Sequence, residues 1–468
     1  MNSRLEKLEK LRESNIEVYP RDFPGRISIK KVLTNFAPKL RKELNSPLTE
    51  KSFKIAGRIM SCRNHGQNIF FNLMDSTGEI QLHAKRPDDD RNTFTDENRW
   101  NRILECDLGD IIGVEGTLAQ NPRGEPLFKI SDWTLLAKCL IEPPDKHHGL
   151  QNPEEKYRHR ERDLLSSADS RALFKTRAEI IFEIRKYLNE KDFVEIECPV
   201  LQPIYGGATA RPFETRHNSL GQDFFLSISS ELYLKRALVG GFDRVYSFSR
   251  CFRNEGISPE HNPEFTNLEI FESCSTSNDM LSFTVNLIRY LEERFIPGWF
   301  THRNKLKFDR DLLSSDWPLS RKIISKSIDN LKKRQKELQK QTGIGGNVIP
   351  SKIEYAEAWE LYINDIEIAS GASDLNDPHE QEKRLKESEN NAKSFDEKQI
   401  HSLSEGSISD RQEYDPYDKN YIEALEMGAL PWSGVGIGID RLIMLLTGKT
   451  NIRNVIMFPT LRQISADD

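Results

Sequence analysis

Residues able to do chemistry gather in three stretches. The first, "CFRNEGISPEHNPEFTNLEIFE" from Cys251 to Glu272, joins two alternating segments through a loop dense in charge. In "VYSFSRCFR", alternation puts Tyr246, Phe248, Arg250 and Phe252 on one face and Ser247, Ser249, Cys251 and Arg253 on the other. In "FTNLEIF", Phe265, Asn267, Glu269 and Phe271 share a face, while Thr266, Leu268 and Ile270 point into a core. If the segments pair, Arg253, Phe265 and Glu269 converge on one open surface. Gly256, Ser258-Pro259 and Asn262-Pro263 then build the hairpin loop between them. Arg, Glu, His and Phe beside a rigid loop suit a ligand with a flat ring and an anion. A salt-bridged sheet edge is the plainer reading of the same residues.

In the second stretch, "WELYINDIEIASG", Asn364-Asp365 is a two-residue turn signal, so Tyr362 should face Glu367 with Glu360 on the same face. Like charges so placed repel unless a cation or donor lies between them. Hard oxygen ligands with room for water and phosphate suit Mg²⁺; two solvated surface glutamates are the alternative. In the third, "WSGVGIGIDRLIMLLTG", Gly434, Gly436 and Gly438 alternate, leaving one strand face bare for a ligand to lie against. A dinucleotide fingerprint needs a different glycine spacing and a following parallel strand. Arg441, at the end of the bare strand, can stack on a flat base or form an ordinary helix-surface salt bridge.

These stretches need a sheet and helices to hold them. A chain of 468 residues exceeds one ordinary core, so two or three domains are expected. Leu5, Leu8 and Leu11 predict a helix near residues 3–14. About five short strands follow, separated by turns such as "NHGQN" and "DSTGE", the pattern of a small antiparallel barrel of the OB type. A polar, proline-bearing connection puts the domain boundary at 145. Beyond it, Ile180, Ile181, Ile184, Tyr187 and Leu188 mark an amphipathic helix, and "SELYLKRALVGG" a helix ended by paired glycines. Charged stretches at 320–342 read as helical, and residues 385–415 as a flexible surface insertion.

The bulk composition narrows the function. A net charge of -6 argues against wholesale wrapping of nucleic acid, though the 67 Lys and Arg leave room for a local basic surface. Six scattered cysteines without a CxxC pair read as reduced thiols. The charged N-terminus lacks a signal-peptide core, and no apolar run approaches the roughly 18 residues of a membrane span. A cytoplasmic protein without a membrane segment is expected.

"FRNEGISPEHNPEFTNLEIFE" and "GVGIGIDRLIMLL" resemble motifs 2 and 3 of the class II aminoacyl-tRNA synthetases, and "FVEIECPVLQPIYGGATARPF" resembles motif 1 and the loop after it. "GGATARPFETRHNSL", "ELYLKRALVGGFDRVY" and "NIRNVIMFPTLR" are most similar to the lysyl branch, and the resemblance runs from the N-terminal helix almost to the last residue. It implies an α+β protein. An N-terminal helix and OB-fold anticodon-binding barrel would occupy residues 1–145, and a catalytic antiparallel sheet flanked by helices residues 146–468. It further implies a homodimer formed around Pro199 and a ligase that joins lysine to ATP as an adenylate, then transfers it to tRNA.

By position, the resemblance implies catalytic roles for Arg253 and Arg441. ATP would be bound by Arg253, Glu255, His261, Phe265 and Arg441, and Mg²⁺ by Glu360 and Glu367. Gly207, Glu231 and Glu269 would surround the α-amino group, and Phe70, Gln81 and Glu125 would read the anticodon.

The side-chain pocket departs from the family pattern. Ser370 stands for an asparagine, Ala372 for a phenylalanine, Asp374 for the glutamate that meets the ε-ammonium, and Phe271 for a tyrosine. These changes enlarge the pocket and keep its negative end, so lysine or a related cationic amino acid is expected. The segment between the second motif and "WELY" is also shorter than usual, and "GGNVIPSKIEYAEAW" is its candidate replacement. Two other readings follow: a paralogue activating another amino acid for a non-tRNA acceptor, and a non-catalytic tRNA- or amino-acid-sensing module.

Overall fold

The computed structural model describes residues 3–36, 52–87, 97–145, 149–297, 358–364, 366–400 and 416–462. The expected helices at 320–342, the replacement segment as far as residue 357, Asp365, and residues 401–415 of the polar insertion lie outside them. Internal contacts divide the chain into residues 1–168 and 169–468.

The first unit opens with α1 (Ser3–Glu13) and α2 (Ile29–Phe36). Strands β1 (Phe53–Asn64), β2 (Asn68–Asp75) and β3 (Gly78–Lys85) follow, then α3 (Glu97–Ile103), β4 (Ile111–Gln120) and β5 (Pro126–Ala137). The five strands close into a barrel in the order β1-β2-β3-β5-β4. Alternation divides each strand between core and exterior. Ile69, Phe71 and Leu73 of β2 and Ile80, Leu82 and Ala84 of β3 are buried, which turns Phe70, Asn72, Gln81 and His83 outward. Leu8 of α1 completes the barrel's apolar cluster, while Leu5 remains exposed. Short helices α4 (Pro153–Arg158) and α5 (Arg160–Ser166) end the unit.

The second unit begins within α6 (Ala168–Asn189), whose Ile180, Ile184 and Leu188 are fully buried at the spacing of one helix face. Next come β6 (Val194–Glu195), β7 (Leu201–Gln202), β8 (Glu214–His217), β9 (Gln222–Leu226), α7 (Glu231–Val239), β10 (Arg244–Phe252), β11 (Glu264–Ser273) and α8 (Ser277–Phe295). The last elements are β12 (Ala358–Ile363), β13 (Ile366–Ser373), α9 (Pro378–Ile400), α10 (Lys419–Glu426), β14 (Trp432–Gly438), α11 (Ile439–Thr447) and α12 (Ile452–Val455). The main sheet has the order β12-β13-β14-β11-β10-β6, antiparallel except where β6 joins β10. A smaller sheet has the order β7-β9-β8.

One face of the main sheet carries the core. Leu268, Ile270, Val435 and Ile437 pack with Leu287 and Leu291 of α8 and Leu442 and Ile443 of α11. The opposite face bears the expected site. A capping box at the start of α8, Thr276 with Asp279, fixes that helix beneath the sheet. The polar stretch at 385–415, expected to be a flexible insertion, begins instead as part of α9. Leu385 is buried there, and Glu380–Arg384 and Glu382–Lys386 pair at four-residue spacing. Among the described residues, no helix is long and apolar enough to cross a membrane.

Candidate active site

The register of the main sheet assembles the site. Strand β11 sets Phe265, Asn267, Glu269 and Phe271 opposite Cys251, Ser249, Ser247 and Val245 of β10, as alternation predicts. On its other side, Asn267, Glu269 and Phe271 face Gly438, Gly436 and Gly434 of β14. A Cβ at Gly436 would meet Asn267 Nδ2 only at 3.7 Å, so that part of the strand is open floor. Gly434 differs, because the Phe271 ring lies directly over it. Thr266, expected in the core, faces a polar cluster instead: its hydroxyl accepts from Arg250 Nη1 at 2.9 Å and from Arg177 Nη2 at 3.3 Å.

The hairpin β12–β13 forms as expected, with Asn364 in the left-handed region at φ 54° and Tyr362 opposite Glu367. Its ladder is irregular. Leu361 pairs with Ala369 but Tyr362 with Glu367, so Ile368 is an extra residue, a bulge. Strict alternation would send Glu367 and Ser370 to opposite faces. The bulge brings both to the same cavity, while Ile368 and Ala369 stay in the core.

That cavity, of about 260 Å³, is lined by Arg253, Glu255, His261, Phe265, Glu367 and Arg441 among others. The Arg253 guanidinium lies 5.2 Å from the Phe265 ring centre. Its Nε is buried and has no hydrogen-bond partner among the described residues. A desolvated, unpaired guanidinium N–H is costly in an empty protein and well suited to an anion. Arg441 reaches in from α11, with Nη2 2.9 Å from His261 Nε2 and Nη1 donating to the Glu367 carbonyl at 3.1 Å. Ser258 Oγ lies 2.7 Å from His261 Nδ1, which fixes the ring in its loop.

Glu360 and Glu367 border two adjoining cavities. The Tyr362 hydroxyl donates to Glu360 Oε2 at 2.9 Å; this bond, burial and the charges of Glu360 and Glu367 push the phenol up to about 12. Both carboxylates thus act on the Tyr362 hydroxyl. Among the described residues no group of three or more acidic, His or Cys side chains could hold a metal alone. Two carboxylates on an open floor nonetheless suit a hard cation that draws its other oxygens from phosphate and water.

The adjoining cavity, of about 660 Å³, is lined by Gly207, Glu231, Glu269, Phe271, Ala372 and Asp374 among others, and shares Arg253, Asn267, Ser370 and Gly436 with the first. Gly207 is required there: its φ is 81°, and a Cβ would come within 2.8 Å of Glu231 Cβ. Four donors cover Glu269: Ser229 Oγ at 2.8 Å, the Ser230 N–H at 2.9 Å, Ser230 Oγ at 2.6 Å and Asn267 Nδ2 at 2.9 Å. Every expected residue of this end is therefore present on one wall or another.

Several partners of the site form no motif in the sequence. Ser229 and Ser230 orient Glu269 from the turn before α7. Lys235 donates to Glu231 at 2.5 Å and to Asp374 at 2.9 Å; the four-residue spacing in "ELYLK" is its sole sequence signal. Arg177 joins α6 to Asp440 at 2.6 Å, across 263 residues of chain.

On the barrel, Phe70 and Gln81 are diagonal neighbours, since Phe70 pairs with His83 and Asn72 with Gln81. Phe70 stacks on His83 at 4.8 Å and 11°. Burial, then Lys129 and Lys85, holds that imidazole below its ordinary value and so favours the neutral ring. Glu125 sits in the β4–β5 turn, two residues before Leu127, which pairs with Gln81. It accepts from Asn121 Nδ2 at 2.8 Å.

Comparison with known proteins agrees with this arrangement. The family described as tRNA synthetases class II (D, K and N) matches residues 152–311 and 308–462, and the OB-fold nucleic acid binding domain matches residues 53–136. The chain is 35% identical to the lysine--tRNA ligase of Dehalococcoides mccartyi, over 98% of this chain and 96% of that one. It is 36% identical to that of Syntrophomonas wolfei, over 99% and 97%. With lysine--tRNA ligase 2 of Methanosarcina acetivorans it shares 34%, over 99% and 94%.

Proposed function

Because the chain belongs to the class II tRNA synthetases, we propose that it is a lysine--tRNA ligase: it activates lysine, or a closely related diamino acid, with ATP and transfers it to tRNA. One observation carries the reading. Two cavities share the Arg253 guanidinium and the bare Gly436 floor, one flanked by Arg441 and Phe265, the other by Glu231, Glu269 and Asp374. A flat base, a phosphate chain and a cationic amino acid fit that order of groups, with the reacting carboxylate and α-phosphate meeting at Arg253.

In this reading the adenine lies between Phe265 and Arg441, and Glu255 and His261 hold the nucleotide. Arg253 draws the substrate carboxylate and the α-phosphate together and stabilises the charge that develops on phosphorus during displacement. Glu360 and Glu367 would hold Mg²⁺, which supplies charge neutralisation on the departing phosphates. Gly207, Glu231 and Glu269 receive the α-ammonium. Asp374 provides the negative charge at the far end, where Ala372 and Phe271 leave more room than an aromatic wall with a hydroxyl.

The barrel, in a proposed domain of residues 1–145, would read the anticodon with Phe70, Gln81 and Glu125, and residues 146–468 would form the catalytic domain. Exposed Phe182, Val194, Val200 and Leu201 surround Pro199 in sequence or on neighbouring elements and support pairing of two copies there.

The test is ATP–pyrophosphate exchange with a panel of cationic amino acids, followed by charging of tRNA. Lysine-dependent exchange and charging are expected. Exchange with a bulkier amine but not lysine would move the substrate, and no exchange with any would favour a sensing role.

A further inference from the structure

Behind the amino-acid cavity lies a charged group that the proposed chemistry leaves unused. Lys235 does not line the cavity. It rises from α7 with only 6% of its side chain exposed, and its Nζ donates to Glu231 Oε1 at 2.5 Å and to Asp374 Oδ1 at 2.9 Å. The same ammonium lies 5.5 Å from the Phe271 ring centre. Burial opposes its charge, yet Asp374 and Glu231 together outweigh that cost and hold the ammonium well above its ordinary value.

Charge counting gives this arrangement a purpose. Glu231, Glu269 and Asp374 bring three carboxylates to this end, and Lys235 cancels one. Once Glu231 has lost its proton, above about pH 7, two net negative charges remain, matching the two ammonium groups of a diamino acid, whose carboxylate Arg253 answers. The geometry agrees. Nζ takes one oxygen of each partner and leaves the other free, so neither carboxylate can swing away or take up the other's proton at little cost.

We propose that Lys235 is a positioning residue for the substrate's distal ammonium, fixing Glu231 and Asp374 and favouring their ionised forms so that the groove selects a diamino acid over an uncharged one with the same carbon chain. The proposal rests on the reading of the groove as an amino-acid activation site. The groups facing Nζ are Glu231 on α7, Asp374 after β13, Tyr421 on α10 and, beyond Glu231, Glu269 on β11.

The experiment compares exchange with lysine and with norleucine, which has lysine's carbon chain without its distal ammonium, in the wild type, Lys235→Met and Lys235→Arg. In Lys235→Met the preference for lysine should fall by about tenfold or more, the equivalent of one pKa unit of lost charge interaction. It should fall through the KM for lysine, with the KM for ATP unchanged. The loss should shrink as pH rises and the proton held at Glu231 leaves. Lys235→Arg, which keeps the cation, should retain most of the preference. An unchanged preference in Lys235→Met, or equal losses for both amino acids at every pH, overturns the role of Lys235 alone. A wild type that exchanges with no diamino acid overturns the activation reading, and this inference with it.

Discussion

Asp440 accepts from Arg177 Nη1 at 2.6 Å through one carboxylate oxygen and from the Thr266 N–H at 2.7 Å through the other. One buried side chain thus ties α6, β11 and the first turn of α11 together, next to Arg441. Asp440→Asn keeps the shape and removes the charge, leaving the Arg177 guanidinium without its counter-ion and bonded, among the described residues, only to the Thr266 hydroxyl and the Val455 carbonyl. Chemical denaturation should show a loss of about 3 kcal/mol, the order seen when one partner of a buried ion pair is removed.

Arg253 should show the opposite separation of stability from activity. Its Nε has no partner among the described residues, Nη2 reaches the Ile228 carbonyl only at 3.5 Å, and the Phe265 ring is its other contact, so truncation costs little in the empty protein. Arg253→Ala should keep the thermal midpoint and lose about a hundredfold or more in adenylate formation, as for other groups aimed at transition-state charge. Retained turnover in pyrophosphate exchange would refute the assignment.

Two glycines on one strand make a paired test. Gly436→Ala adds a methyl that meets only Asn267 Nδ2 at 3.7 Å, whereas Gly434→Ala drives its methyl into the Phe271 ring. The first should leave stability within about 0.5 kcal/mol, as for an uncrowded substitution, and raise the KM for ATP and lysine together. The second should destabilise the fold by about 1–3 kcal/mol, the usual cost of overpacking. Equal effects of the two on stability would contradict the bare floor at Gly436.

The Glu231 carboxyl is raised from 4.5 to about 7, chiefly by burial and further by Asp374 and Glu269, against the pull of Lys235. With 31% of its side chain open to the groove, solvent tempers the shift without reversing it. Between those values the folded chain holds a proton that the unfolded chain has lost. This contribution to stability is complete below about 4.5 and fades as pH rises through about 7. A cationic ligand needs the ionised form, so the KM for lysine should fall as pH climbs through the same window. Glu231→Gln should flatten that profile while raising KM throughout.

On the barrel, Phe70→Ala should weaken tRNA by about 1–3 kcal/mol, the range for loss of one stacked base. The KM for tRNA in charging would report it, and pyrophosphate exchange would stay unchanged. A parallel loss of exchange would place Phe70 in the stability of the fold instead.

Much of this was legible in the chain because the site is built on strands, where side chains alternate. "FTNLEIF" yields Phe265, Asn267 and Glu269 as one face, and the register bears this out. The turn at Asn364 likewise sets Tyr362 against Glu367. What period-two reading misses is anything that breaks the period or crosses the chain. The Ile368 bulge is invisible to alternation, and the polar setting of Thr266 is equally so because its partners, Arg177 and Arg250, come from α6 and β10. In α9, polar composition suggested a loose segment, but four-residue charge spacing and the buried Leu385 support a helix.

The extra residue at Ile368 also separates two tasks along one strand. Toward the tip, Tyr362 and Glu367 are set by the hairpin; past the bulge, Ser370 faces Glu360 on one side, and Ser370, Ala372 and Asp374 are set by pairing with β14 and its flank. On the proposed assignment, such a joint lets the amino-acid stretch drift while the Glu367 tip keeps its geometry. A lineage could retune its cargo here and leave the engine that activates it untouched.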